Sequence, residues 1–184
     1  MMNRFVLESE DAVILIIDLQ ERLMNSMKDR EKVYKNSNLL LNLAKEMGIP
    51  VIISEQYPKG LGATVDLIKQ NLPEDYAYVE KVSFSTCGSG LLEILKDMSR
   101  KTVIVAGSET HVCVFQTVRD LIYAGYNVHV SRDAVCSRFD ENYENGLDLM
   151  KDLGAVVSNT ETIVFDLLKM SGTPAFKAIS PLLK

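Results

Sequence analysis

Residues 12–19 read Ala12-Val13-Ile14-Leu15-Ile16-Ile17-Asp18-Leu19. The near-continuous apolar run from Val13 to Ile17 has the length and β-branched content of a strand buried on both faces, as found in parallel sheets covered by helices on each side. Beyond it, helical periodicity runs from about Arg30 to Met47, with Leu39, Leu40, Leu43, Ala44 and Met47 on one stripe and Gly48 placed as a C-cap. A second strand, Pro50 to Ser54, follows at once.

The alternation then repeats. A short helical stretch near Thr64 to Gln70 precedes an extended segment Tyr76 to Lys81, a helix from about Gly88 to Met98 and a strand Thr102 to Ala106. His111 to Ala124 reads as a helix ending at Gly125, Asn127 to Ser131 as a strand, and Glu141 to Leu153 as a helix ending at Gly154. Ala155 to Ser158 reads as the final strand, and a last helix, Thr160 to Lys169, leads into a Pro-containing tail. About six strands separated by helices and short connections predict an α/β fold of three layers, α/β/α, with a doubly wound, Rossmann-like parallel sheet. The whole chain, 1–184, is expected to form one domain, a normal domain size. In such sheets the ligand crevice lies outside the carboxyl ends of the strands where strand order reverses, so residues just after strands are the ones to examine.

Twenty basic and 25 acidic residues give a net charge of −5 with no basic block that could track a phosphate backbone, so nucleic acid is not an expected partner. The run Ala12 to Ile17 is too short to span a bilayer, and the start has no basic n-region or cleavage site, so no membrane association is expected and the chain is read as cytoplasmic. Cys87, Cys113 and Cys136 are odd in number and without C-x-x-C spacing, which argues for free thiols over a disulfide framework or a structural zinc site. Two histidines, His111 and His129, give a histidine-based metal site little to build on, and no metal or cofactor is expected.

Three chemistry-bearing side chains fall at predicted strand ends: Asp18 after the first strand, Lys81 after the third, and Cys113 a few residues past the fourth, at the start of a helix. Taken singly, each has an ordinary reading: a turn or capping Asp, a solvated Lys, a small buried Cys. Together they suggest more. A thiol in the first turn of a helix feels unpaired N–H groups and the positive end of the dipole, both favouring thiolate. An adjacent ammonium would lower its pKa further, and an adjacent carboxylate could accept its proton.

The sequence resembles the isochorismatase-like cysteine hydrolases, which include nicotinamidases and carbamoylsarcosine amidases, through Ile16-Ile17-Asp18-Leu19-Gln20, through Glu80-Lys81 followed by Phe84-Ser85, and through Val105 to Val114, which reads Val-Ala-Gly-Ser-Glu-Thr-His-Val-Cys-Val. The resemblance runs from about Ala12 to Ser158. It implies that Cys113 attacks a carbonyl carbon, Asp18 takes and returns the proton, and Lys81 holds the charges in place. It also implies a cis peptide at Ser108–Glu109 and an oxyanion hole from the backbone N–H groups of Glu109 and Cys113. The segments Ser54 to Gly62 and Arg132 to Arg138 resemble the small isochorismatase-domain branch. The nicotinamidase branch places an Asp and several His residues after the second strand to bind a metal, and here that stretch contains no His.

Gln20, two residues from Asp18 on an extended strand, could aim into the crevice or serve as a cap. Tyr57 and Phe84 follow the second and third strands and could line an apolar substrate pocket or simply pack. His111 is two positions from Cys113 and so does not face it on a helix, and His129 reads as structural. Arg132, Asp133 and Arg138 read first as a loop salt-bridge cluster. The expected activity is hydrolysis of a small amide or related C–N compound through a covalent acyl-enzyme. Isochorismatase-type enol-ether hydrolysis, a non-catalytic binding or scaffold role, and redox sensing through Cys113 and Cys87 stay open as alternatives. A small-molecule substrate and a homo-oligomer, a dimer or larger, are the expected partners.

Overall fold

A computed structural model describes residues 4–183. Residues 1–3 and 184 of the expected 1–184 unit lie outside the described residues. The elements are β1 (Ala12–Ile17), α1 (Glu21–Met24), α2 (Arg30–Met47), β2 (Val51–Gln56), α3 (Pro58–Leu61), α4 (Asp66–Lys69), β3 (Ala77–Lys81), α5 (Leu91–Asp97), β4 (Thr102–Ser108), α6 (Phe115–Tyr123), β5 (Asn127–Cys136), α7 (Asp140–Asp152), β6 (Val156–Ser158), α8 (Thr160–Leu168) and α9 (Pro174–Ile179). The six strands form one all-parallel sheet in the order β3-β2-β1-β4-β5-β6.

The two faces of β1 explain its unbroken hydrophobicity. Ile14 and Ile16 pack into a core completed by α2, α8 and α9, whereas Val13, Leu15 and Ile17 point into a second core completed by α5, α6 and α7. A central parallel strand buries alternate residues on opposite sides, so both sets must be apolar. From β1 the chain winds outward through β2 and β3, then returns to β4 on the other side of β1 and winds outward again through β5 and β6. Strand order therefore reverses between β1 and β4, and the carboxyl ends of those two strands open the crevice of a doubly wound fold.

That junction depends on a close backbone approach. Gly107, paired with Ile17, has φ 137, and a Cβ there would overlap the Ile17 carbonyl oxygen. Backbone atoms cannot rotate away as a flexible side chain would. Gly107→Ala is expected to destabilise the fold by about 3 kcal/mol or more, read as a drop in the midpoint of chemical denaturation. A midpoint within error of the parent would show that β1 and β4 can part at little cost.

Several predicted boundaries shift. β5 runs on to Cys136, so Arg132 and Asp133 lie within a strand and not in a loop. The Asp133 carboxylate accepts hydrogen bonds from the Thr160 backbone N–H and hydroxyl at 2.8 Å each, and from Ser131 Oγ at 3.1 Å, tying β5 to the start of α8. The Pro-containing tail is helical: Pro174 opens α9, and the Thr173 hydroxyl accepts from the Phe176 N–H as an N-cap. Among the described residues, no helix is long and apolar enough to cross a membrane.

Candidate active site

Asp18 is the first residue past β1. It takes a left-handed conformation, φ 50, that aspartate tolerates better than most side chains. Its backbone is held from both neighbouring strands: the N–H donates to the Ser54 carbonyl at 3.1 Å, and the carbonyl accepts from Ser108 Oγ at 2.9 Å. The carboxylate is fully buried, with Oδ1 accepting from Ser54 Oγ at 2.8 Å and Oδ2 from Lys81 Nζ at 2.6 Å.

Lys81 closes β3, two strands from β1 across β2. That separation is about 10 Å, which only a long side chain projecting over the end of β2 can cover. Gln56, paired with Lys81 at the end of β2, supports the crossing: its Oε1 accepts from Lys81 Nζ at 2.8 Å, and its own amide donates to the Val82 carbonyl at 2.6 Å.

Cys113 lies in a π-helical turn, Thr110–Val114, that runs directly into α6. Its buried thiol faces both Asp18 and Lys81. Burial, reinforced by the Asp18 carboxylate and only partly offset by Lys81, pushes the thiol pKa up to about 12. Loss of hydration thus opposes the pull toward thiolate expected from the helix start and the ammonium, whose charge is already shared with a carboxylate. Burial also raises the Asp18 pKa, against the opposing pull of Lys81 and of its hydrogen bonds. What results is a buried thiol whose neutral form is favoured, beside a buried ion pair with a carboxylate facing it.

The Ser108–Glu109 peptide is cis. The Glu109 carboxylate is mostly buried, and its Oε2 accepts from the Arg138 backbone N–H at 3.0 Å and from Arg138 Nε at 3.1 Å. A cavity of about 100 Å³ opens onto Cys113, lined by Leu23, Gln56, Leu61, Phe84, Glu109, Val112 and Cys113.

Of the three side chains expected to contact substrate, Phe84 lines this cavity, and two do not. Gln20 is fully buried and spent on backbone: its amide donates to the carbonyls of Gln56 at 3.0 Å and Gly62 at 2.6 Å, and its Oε1 accepts from the Gln56 N–H at 2.7 Å. It holds the loop carrying Leu61 against the end of β2. Tyr57 is half-exposed with φ 37, and its ring lies against Gly60, away from the cavity lining. Ser54, Gln56, Leu23, Leu61 and Val112 complete the site without having been singled out by sequence. Ser54 and Gln56 fall at the end of β2 facing the crevice, and a search of every strand end would have found them.

His111 Nδ1 hydrogen-bonds Ser137 Oγ at 3.0 Å, and buried His129 bonds the Arg4 carbonyl at 2.9 Å, both contacts between segments distant in sequence. Cys87, Cys113 and Cys136 are all free thiols, and burial pushes the other two up to about 12 as well. Among the described residues no three His, Cys, Asp or Glu side chains cluster so as to hold a metal ion.

Comparison with known proteins places this geometry in context. The isochorismatase domain model matches residues 12–162. Isochorismatase family protein 1A of Dictyostelium discoideum is 36% identical over 180 residues, 96% of this chain and 87% of that protein. The structure of the MAR1 ribonuclease from Caenorhabditis elegans superposes with a TM-score of 0.92 at 35% identity, over 97% of this chain and 92% of that one. The ycaC gene product of Escherichia coli, described as an octameric hydrolase of unknown specificity, superposes with a TM-score of 0.90 at 24% identity, over 97% and 89% of the two chains.

Proposed function

The chain belongs to the isochorismatase family, and from that premise we propose that it is a cysteine-dependent hydrolase of a small amide or related C–N compound, with Cys113 as nucleophile, Asp18 as general base and acid, and Lys81 as the group that holds Asp18 charged. The observation that carries this reading is the buried Lys81 to Asp18 bond of 2.6 Å set beside the buried Cys113 thiol. Cys113 Sγ bonds to the carbonyl carbon as its proton passes to Asp18. The C–N bond then breaks, and the amine leaves with that proton. Water, losing a proton to Asp18, attacks the thioester carbon. The carboxylic acid departs, and Asp18 returns the proton to sulfur. Glu109 and Cys113 line the cavity, and their backbone N–H groups are the proposed donors to the oxyanion.

This assignment is tested by quenching the protein during turnover of candidate amides and measuring intact mass. An acyl adduct mapped to Cys113 is expected. The raised pKa of Asp18 favours a second reading, in which its proton leads hydrolysis of an enol ether. Hydrolysis that survives Cys113→Ala and leaves no adduct would select it.

The pH dependence follows from the same group. Asp18 must be ionised to accept the thiol proton, and burial holds its pKa above the ordinary 3.8. Activity is therefore expected to fall with acidification at a higher pH than a solvent-exposed aspartate would dictate. Stability runs the other way. A carboxyl raised in the folded state favours folding at low pH, a contribution lost as pH climbs through the folded pKa. An acid limb at or below 3.8 would remove Asp18 from the role of base.

Three free thiols fit a reducing compartment, and we place the protein in the cytoplasm with a small-molecule substrate and no nucleic-acid or membrane partner. We also propose assembly into at least a closed dimer, the common arrangement of soluble homo-oligomers. Light scattering at the mass of a single chain would refute it.

A further inference from the structure

The cavity beside Cys113 offers no free positive charge. Lys81 is buried, with Nζ bound to Asp18 at 2.6 Å and to Gln56 at 2.8 Å. Arg138 is engaged with Glu109, and the exposed Arg22 donates to the Gly60 carbonyl at 2.7 Å. None of the three lines the cavity, whose walls are mainly Leu23, Leu61, Phe84 and Val112. The charged groups nearest the thiol are thus an ion pair already neutralised and a carboxylate, Glu109, already paired.

A carboxylate or phosphate entering this space would lose its hydration and find no unpaired cation among the lining residues, since Lys81 and Arg138 are each held by a carboxylate. An uncharged group loses far less. The volume, about 100 Å³, equals roughly three molecules of liquid water and falls well below the about 300 Å³ at which pockets for drug-sized ligands begin. Phe84, half-exposed, extends the apolar wall to the mouth.

We infer that this site selects short, uncharged, apolar acyl amides and rejects analogues that carry an anionic group on the acyl chain. Propionamide is the kind of molecule that fits, and succinamate the kind that does not. The inference rests on the hydrolase reading for its turnover, but charge selection at Cys113 can be measured without any turnover.

The experiment compares alkylation of Cys113 by iodoacetamide and by iodoacetate, near-isosteric reagents differing in charge, with site-resolved mass spectrometry at a mildly alkaline pH. In each case sulfur displaces iodide, a C–S bond forms, and the thiol proton passes by way of Asp18 to solvent. The reference is the same rate ratio in the urea-unfolded chain, which corrects for intrinsic reactivity. The ratio of amide to acetate rates is expected to rise at least about tenfold in the native protein. A native ratio equal to or below the unfolded one overturns the inference. Leu61→Lys, which sets an ammonium on the wall, is expected to lower the native ratio at least about threefold. An unchanged ratio in that variant also overturns it, because size and not charge would then be responsible. Should the ratio rise as expected while no amide is hydrolysed, the inference stands and the hydrolase reading fails.

Discussion

Replacing Cys113 with alanine is expected to lower kcat/KM on any amide substrate at least about 10⁴-fold, since loss of a nucleophile removes the covalent route entirely. The thiol is small, so the cavity left behind is small, and the fold should lose only about 1 kcal/mol. Far-ultraviolet circular dichroism and the denaturation midpoint check that the fold survives. Cys113→Ser is expected to recover little, because a hydroxyl is a weaker nucleophile than a thiol. Retained turnover in Cys113→Ala, abolished only by Asp18→Asn, would move the chemistry from sulfur to the carboxyl group.

Lys81→Met is expected to cost about 3–5 kcal/mol in stability, because it strands the Asp18 carboxylate in a fully buried position with only the neutral Ser54 hydroxyl and Cys113 thiol beside it. Activity should fall at least about a hundredfold, since an unpaired carboxylate takes up a proton and can no longer receive one from the thiol. The double variant Asp18→Asn with Lys81→Met separates the two effects. Removing both charges should restore most of the lost stability, as uncharged replacements of a buried pair commonly do. It should restore none of the activity. Additive stability losses in this cycle would mean that the pair is not energetically coupled despite its 2.6 Å separation.

Much of the architecture is written in local pattern. A parallel strand covered on both faces must be apolar at every position, so Val13 to Ile17 announces itself, as does α2 through its stripe of leucines ending at Gly48. β5 reads as ending at Ser131 because Arg132 and Asp133 interrupt the apolar run. Their polarity is accommodated by the start of α8, a contact between residues 27 apart that no local window contains. α9 was hidden by the opposite effect: Pro174 reads as a breaker, yet it is the favoured first residue of a helix capped by Thr173.

The site divides in the same way. Sequence by itself placed Asp18, Lys81 and Cys113 at strand ends on one side of a parallel sheet, because strand direction and residue type are local properties, and it identified Phe84 as a candidate for the wall. Tertiary structure alone decided that Lys81 reaches over β2 to Asp18, that Gln20 is spent on backbone while Tyr57 lies beside Gly60, and that burial pushes the Cys113 thiol pKa up. The physical reason is that hydration and charge partners are set by what the rest of the chain packs around a group. A thiol at a helix start can be pushed toward thiolate by its dipole or away from it by desolvation, and the second prevails only once the surrounding elements have closed over it.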